Sequence, residues 1–213
     1  PPAWPAAFDP SADELRMLRA LCDRVSESFT AEWNAALAQL APNAPASISA
    51  FGEHGDLLLL NYPAELSAPA RTAILPPHRF LGSAVRVEAR DSEVDAWLAE
   101  SNKPFVYVSF GSFLSVRADA LARVCAALRR VGIRGAIATG SADRAELGEL
   151  PVDWLVREFL PQVTLLERAA AAVTHGGNNS VTESMTMGVP LVVLPFSTDQ
   201  FAGAAALEDA GFG

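Results

Sequence analysis

From Lys103 to the end of the chain, short apolar segments alternate with amphipathic ones, and this alternation limits the possible folds most strongly. PFVYVSFG and VPLVVLPF have the length and composition of buried strands, whereas RADALARVCAALRRVG, followed by Gly132, has the apolar spacing of a capped helix. Further strands are predicted at IRGAIATG, DWLVREFL and AAAVTH, and further helices at PQVTLLERA, NNSVTESMTMG and DQFAGAAALEDAG. This order predicts βαβ units in an α/β fold, with a mostly parallel sheet covered on both faces.

The first hundred residues carry a weaker pattern, which we interpret as part of a separate domain. A helix is predicted over 11–40, because apolar residues recur there at steps of three and four. These residues are Leu15, Leu18, Cys22, Val25, Phe29, Trp33, Leu37 and Leu40. DLLLLNYP predicts a buried strand and HRFLGSAV a second short strand, and residues 85–103 are polar except for the small amphipathic segment EVDAWLAES. We therefore predict one domain over 1–88, a linker over 89–102 and a second domain over 103–213.

The composition excludes several classes of protein. Half of the 213 residues are apolar, which suffices for a substantial core, and the net charge of −9 provides no basic surface for nucleic acid. No apolar run approaches membrane-spanning length, so we expect no transmembrane segment and a cytoplasmic location. Cys22 and Cys125 are interpreted as buried apolar residues rather than as a disulfide or metal ligands. Because the chain begins without Met and ends just after a predicted helix, we expect both ends to belong to a longer protein.

Two of the predicted strands end in sequences suited to binding an anion. VSFGSF follows the first strand of the regular region, and THGGNNS follows the fourth and leads into a helix. In an open parallel sheet, ligands bind beyond the carboxyl ends of the strands, and a helix N-terminus favours phosphate. Gly176 and Gly177 allow close approach of the backbone, while Asn179, Ser180 and Glu183 share one helix face. This pattern predicts a nucleotide diphosphate with its ribose beside Glu183, although the glycines and asparagines also suit an ordinary turn and helix cap.

The region 159–200 resembles the donor-binding box of the family-1 UDP-glycosyltransferases, in particular the bacterial enzymes that modify macrolides and other natural products. The motif consists of FLPQ, His175, Gly177, Asn179, Ser180, Glu183, the GVP at 188–190, and Asp199-Gln200. VSFGS at 108–112 also matches the first strand and turn of that family's C-terminal domain. The resemblance extends over roughly 103–213 and is much weaker over 1–100. It implies a GT-B fold, with two Rossmann-like domains of which this chain contains only a part of each.

The resemblance also implies a role for each matching residue. His175 and Ser180 would contact the diphosphate, with Gly177 and Asn179 beside them and Ser112 at the neighbouring strand end. The other roles are ribose binding by Glu183, hexose binding by Asp199 and Gln200, and base binding by Phe159 and the Leu160 backbone, with Gln162 nearby. The implied activity is an inverting transfer of a hexose from a UDP-sugar to a hydroxyl of a small apolar acceptor, without cofactor or metal.

The general base of such a reaction is not evident in this sequence. The family places a histidine near the start of its N-terminal domain, whereas only His54 and His78 precede residue 103 here. Neither lies where the family has its base, so we expect the base upstream of this chain. A dTDP-sugar-dependent transferase and a nucleotide-sugar-binding module without transfer activity remain alternatives. The chain lacks the Gly-x-Gly-x-x-Gly of a dehydrogenase, the Gly-x-Ser-x-Gly of a hydrolase and the Asp-x-Asp of a metal-dependent transferase.

Overall fold

The computed structural model describes residues 4–111 and 117–213, without the side chain of Thr198. Its helices and strands are, in chain order, α1 (Ala12–Leu40), β1 (Leu58–Leu60), α2 (Pro69–Thr72), β2 (His78–Phe80), α3 (Ser92–Glu100), β3 (Phe105–Ser109), α4 (Ala118–Val131), β4 (Arg134–Ala138), β5 (Leu155–Arg157), α5 (Gln162–Leu166), β6 (Ala171–Thr174), α6 (Asn178–Thr186), β7 (Leu191–Val193) and α7 (Thr198–Asp209). Short 3₁₀ helices lie at Ala50–Gly52, Ala64–Leu66 and Arg144–Leu147. These bounds confirm the predicted order of strands and helices after Lys103.

A five-stranded sheet in the order β5-β4-β3-β6-β7 forms the centre of the fold, and all its neighbouring strands are parallel. All five residues of β3 are buried, as expected for the central strand of a sheet covered on both faces. Phe105 and Tyr107 belong to one apolar cluster and Val106 and Val108 to another, because successive strand residues point to opposite faces. The predicted α/β fold with a parallel sheet is confirmed.

Helices cover both faces of this sheet. On one face, α4 buries Leu121, Cys125 and Leu128 at helical spacing and ends at Gly132, whose φ of 67° is the left-handed cap conformation. The prediction of a buried Cys125 is thus confirmed. The other cluster contains side chains from α3, α5, α6 and α7, namely Val94, Trp97, Leu98, Leu165, Leu166, Val181 and Leu207. The amphipathic segment predicted before Lys103 is therefore a helix that contributes to the core.

The chain divides into two compact units. One contains Pro1–Pro5, Leu60–Ile74 and Phe80–Gly213, and the other contains Ala6–Leu59 and Leu75–Arg79. In the second unit α1 has the predicted bounds within one residue and begins with a capping box between Ser11 and Glu14. The domain boundaries derived from the sequence remain a prediction.

Burial in the second unit differs from the expectation. No residue of α1 is buried, and Cys22 is exposed, so the interpretation of Cys22 as a buried apolar residue is wrong. Leu59 of β1 is also exposed, which contradicts the prediction of a buried strand. The apolar face of α1 is left largely open, with Leu21, Val25, Phe29 and Trp33 between 43% and 52% exposed, although Phe29 stacks on Phe51 with ring centroids 5.0 Å apart. Separately, no helix in the described ranges is long and apolar enough to cross a membrane.

Candidate functional site

The carboxyl ends of β3 and β6 meet at the point where the strand order reverses. The chain passes from β3 to β4 and β5 on one side, and then places β6 and β7 on the other side of β3. Ser109 at the end of β3 is paired in register with Thr174 at the end of β6. Such a reversal opens a crevice above the sheet, which is where open α/β folds bind their ligands.

The imidazole of His175 lies in this crevice between two glycines. A Cβ atom added to Gly177 would lie 2.4 Å from His175 Nε2, and one added to Gly111 would lie 2.8 Å from His175 Cε1. Gly111 also has a φ of 67°, which side chains rarely allow, and Gly176 has a φ of 87°. The ring position therefore requires glycine at both flanking positions. At Gly177 the reason is steric, and at Gly111 it is both steric and conformational.

Burial determines the charge of His175. It lowers the pKa of the imidazole, and the carboxylate of Asp199 opposes this shift. The ring is then neutral at neutral pH and carries one N–H donor. Its Nδ1 atom is buried without a hydrogen-bond partner among the described residues. Because Nδ1 is enclosed, a ligand in the cavity would have to use the other ring nitrogen, Nε2.

Helix α6 begins beside His175 with free donor groups. Gly177 occupies the N-cap position and provides no side-chain cap, so the first N–H groups of the helix are open towards the crevice. The side chain of Asn178 donates to the carbonyl of Asn61 at 3.2 Å, and both Asn178 and Asn179 are exposed. An uncapped helix N-terminus with adjacent glycines is suited to an anion such as a phosphate.

A cavity of about 450 Å³ occupies this end of the sheet. This volume falls within the range of typical small-molecule sites. Its lining residues are Arg86, Tyr107, Ser109, Gly111, Ala138, Gly140, Glu158, Phe159, Leu160, Gln162, His175, Gly177, Asn178, Asn179 and Ser180. Most of the site residues predicted from the sequence are thus brought together around one space.

Beside the cavity, three predicted residues form a polar chain. Ser180 donates through its hydroxyl to Gln162 Oε1 at 3.2 Å, and Gln162 Nε2 donates to a carboxylate oxygen of Glu183. Gln162 and Glu183 are only 6% and 3% exposed. Glu183 therefore lies behind the cavity wall and is reached from the cavity through Gln162.

The remaining predicted residues lie in different surroundings. Phe159 is 67% exposed at the cavity rim, which leaves its ring free to stack. Gln200 Oε1 accepts from the N–H groups of Phe196 and Ser197 at 2.9 and 3.1 Å, and Asp199 accepts from the Ser197 hydroxyl at 2.8 Å. These two side chains stabilise the start of α7 and do not line the cavity. Ser112 lies outside the described residues.

Sequence reasoning missed some of the cavity residues. Arg86 belongs to the segment interpreted as the end of a domain, and no motif distinguishes it from other surface arginines. Tyr107 is a buried strand residue whose hydroxyl has a raised pKa because of burial. Gly140 could have been predicted, since it is a glycine two residues after the end of a third strand, β4. In the described part of the chain, no three His, Cys, Asp or Glu side chains cluster as metal ligands would.

Comparison with known proteins agrees with this arrangement. The UDP-glucoronosyl and UDP-glucosyl transferase family matches residues 14–213. The uncharacterized UDP-glucosyltransferase YojK of Bacillus subtilis is 44% identical over 69 residues, which cover 32% of this chain and 17% of that protein. The anthocyanidin 3-O-glucosyltransferase of Hordeum vulgare is 34% identical over 153 residues, which cover 65% of this chain and 33% of that protein. The alignments thus span a third or less of these relatives.

Solved structures show the same fold. The structure of a UDP-glucose: anthocyanidin 3-O-glucosyltransferase in complex with UDP matches with a TM-score of 0.59 and 26% identity. The match covers 73% of this chain and 39% of that one. The fold is of the GT-B glycosyltransferase type.

Proposed function

Because the chain belongs to the UDP-glucoronosyl and UDP-glucosyl transferase family, we propose that its cavity binds a UDP-hexose as the donor of a sugar transfer. The observation that carries this proposal is the placement of His175 beside the uncapped N-terminus of α6, between Gly111 and Gly177. This arrangement offers a neutral N–H donor and several backbone N–H groups to a diphosphate. The helix dipole adds a partial positive charge at the same place.

The rest of the donor is assigned along the cavity. Ser180 would share the diphosphate with His175, and Gly177 and Asn179 would lie beside it. Glu183 would accept from the ribose hydroxyls after Gln162 releases it, and Phe159 would stack on the base near the Leu160 backbone. Asp199 and Gln200 would bind the hexose, which requires Gln200 to exchange its present bonds to the backbone for sugar hydroxyls.

We propose a single displacement with inversion for the chemical step. The acceptor oxygen forms a bond to the anomeric carbon while the bond from that carbon to the diphosphate oxygen breaks. The bonding electrons leave with UDP, whose added charge is stabilised by α6 and His175, and the acceptor proton passes to a general base. The independence from metal remains a prediction of the resemblance.

The general base is proposed to lie outside this chain. The ring Nδ1 atoms of His54 and His78 interact with the backbone carbonyls of Gly55 and Pro76 at 2.8 and 2.9 Å. Both contacts are local to the turns that carry the two histidines, which supports a structural role for each. A small apolar acceptor is proposed by analogy with relatives named for anthocyanidins and sterols. If the whole protein has no such base, a nucleotide-sugar-binding module is the second candidate.

We expect His175→Ala and Ser180→Ala each to lower the affinity for UDP without unfolding the protein. A lost hydrogen bond to a charged group costs about 1.5–3 kcal/mol, or about 10- to 150-fold in affinity. Titration calorimetry with UDP and UDP-glucose measures this effect. His54→Ala is the matched control, since His54 is exposed. Unchanged affinity together with a lowered melting temperature in both variants would show that the glycine turn is only structural.

We also expect Glu183→Ala to reduce the preference for UDP over dTDP. A carboxylate accepts from both hydroxyls of a ribose but from one of a deoxyribose, and an unpaired partner costs about 1–3 kcal/mol. The wild-type protein should therefore bind UDP about 5- to 150-fold more tightly than dTDP. Competition binding of the two nucleotides to wild type, Glu183→Ala and the exposed control Glu167→Ala measures the ratio. Equal affinities in the wild type would favour a dTDP-sugar donor and remove the ribose role of Glu183.

A further inference from the structure

Arg86 lines the cavity although no sequence motif points to it. Its side chain is 53% exposed, so one side of the guanidinium faces solvent while the other faces acidic residues. It lies three residues after Ser83, whose hydroxyl donates to the Thr182 carbonyl of α6 at 2.9 Å. The segment that carries Arg86 is thus attached to the helix that carries Glu183.

Glu88 fixes the guanidinium of Arg86 in place. Its Oε1 atom accepts from Arg86 Nε at 3.1 Å and lies 3.1 Å from Arg86 Nη2. Its Oε2 atom accepts from the N–H of Thr164 at 3.0 Å and from the Thr164 hydroxyl at 3.2 Å. Thr164 belongs to the first turn of α5, where N–H groups have no partner within the helix. With both oxygens bound and only 11% of its side chain exposed, Glu88 is a rigid anchor.

Arg86 in turn supplies positive charge to Glu183. Arg86 Nη2 lies 3.8 Å from Glu183 Oε2, which also accepts from the neutral amide of Gln162. The Glu183 side chain is 4% exposed, and a charged carboxylate in such surroundings requires both donors and a counter-charge. Within the described ranges, Arg86 is the cation that forms an ion pair with Glu183.

We propose that Arg86 is a positioning residue for the recognition of the ribose 2′-hydroxyl. It acts through Glu183: anchored by Glu88, it keeps the carboxylate oriented while Gln162 gives way to the ribose. This inference rests on the proposed function, because it presupposes that Glu183 receives the ribose. The proposal adds Arg86 to the residues of the donor-binding motif, because within the described part of that motif no cation lies beside the buried carboxylate of Glu183.

The test compares UDP with 2′-deoxy-UDP, which differ only in the hydroxyl concerned. In Arg86→Met, the ratio of the two affinities should fall about 3- to 10-fold, mainly through weaker UDP binding. Arg90→Met is the matched control, because Arg90 lies four residues further on, is 88% exposed and pairs with Asp95 instead. Titration calorimetry on the 213-residue chain gives both affinities, and circular dichroism reports whether each variant folds.

Glu88→Gln provides a second, independent variant. Its amide oxygen can still accept from Thr164, but the charge that anchors Arg86 is lost, so the ratio should fall in the same direction. If Arg86→Met does not fold, the affinity ratio of Glu88→Gln alone tests the role of Arg86. Suppose that the ratio of UDP to 2′-deoxy-UDP affinity falls in Glu183→Ala but is unchanged in the folded variants of Arg86 and Glu88. This result overturns the role of Arg86 and leaves the proposed function intact. Failure of the wild type to bind either nucleotide instead overturns the proposed function itself, and the role of Arg86 with it.

Discussion

Gly177→Ala is expected to lower the affinity for UDP by more than about 100-fold while the protein remains folded. Gly177 has φ and ψ of −64° and 144°, which alanine adopts without strain, so the backbone itself tolerates the change. The added methyl group, however, would lie 2.4 Å from His175 Nε2. The imidazole would therefore have to leave the position that it holds between Gly111 and Gly177.

The substitution therefore removes two contributions to anion binding at once. It expels His175 from the crevice, and it places a methyl group where the diphosphate approaches the first N–H groups of α6. For this reason the loss should exceed that of His175→Ala. Gly55→Ala is the control, because a Cβ at Gly55 has no neighbour within 4 Å. Titration calorimetry with UDP is the measurement. An affinity within about threefold of wild type would show that Gly177 is not needed to make room for His175.

Trp97→Ala is expected to lower the free energy of unfolding by about 3–5 kcal/mol. The indole of Trp97 is 7% exposed and packs edge-on against Phe105 with centroids 5.0 Å apart. Its Nε1 donates to the Asp153 carbonyl at 2.8 Å, and the Arg134 guanidinium carbon lies 4.2 Å from its ring centroid. Since Arg134 is only 6% exposed, truncation leaves a buried charge without its aromatic partner as well as a cavity.

Two further variants separate these effects. Trp97→Phe keeps an aromatic ring but loses the hydrogen bond to Asp153, so a smaller cost of about 1–3 kcal/mol is expected. Trp33→Ala, which truncates the 43% exposed Trp33 of α1, should change the stability far less. Urea unfolding followed by circular dichroism compares all three variants. A cost below about 1 kcal/mol for Trp97→Ala would mean that α3 does not belong to the core of its unit.

The regular half of the fold could be predicted because local signals and burial agree there. The run FVYVS is apolar enough to be a central strand, and Gly132 marks the end of α4. In the first hundred residues the same kind of signal predicts α1, β1, β2 and α3 but not α2, and it does not predict the exposure of α1 and β1. The stripe on α1 is a correct helix prediction, whereas the exposure of Cys22 depends on what packs against that face, which periodicity does not encode.

The candidate site shows a similar division. His175, Gly177 and Ser180 follow one another on a strand end and a helix start, so sequence spacing is enough to bring them together. Arg86 and Tyr107 reach the same cavity through the tertiary fold, and no local pattern could have indicated them. The capping role of Gln200 could not be predicted either, because a Ser-x-x-Gln capping box and a sugar-binding glutamine have the same sequence.

The reversal of strand order has a consequence for how this protein would respond to its ligand. The cavity takes residues from Arg86 to Ser180, so its walls come from segments on both sides of the central strand. The site therefore forms only when these segments have docked on the sheet together, and a chain in which they have not has no competent site. Any molecule that binds there acts on the global equilibrium between folded and unfolded protein, by an amount set by its concentration relative to its dissociation constant. Occupancy and structural integrity of this unit are therefore thermodynamically linked.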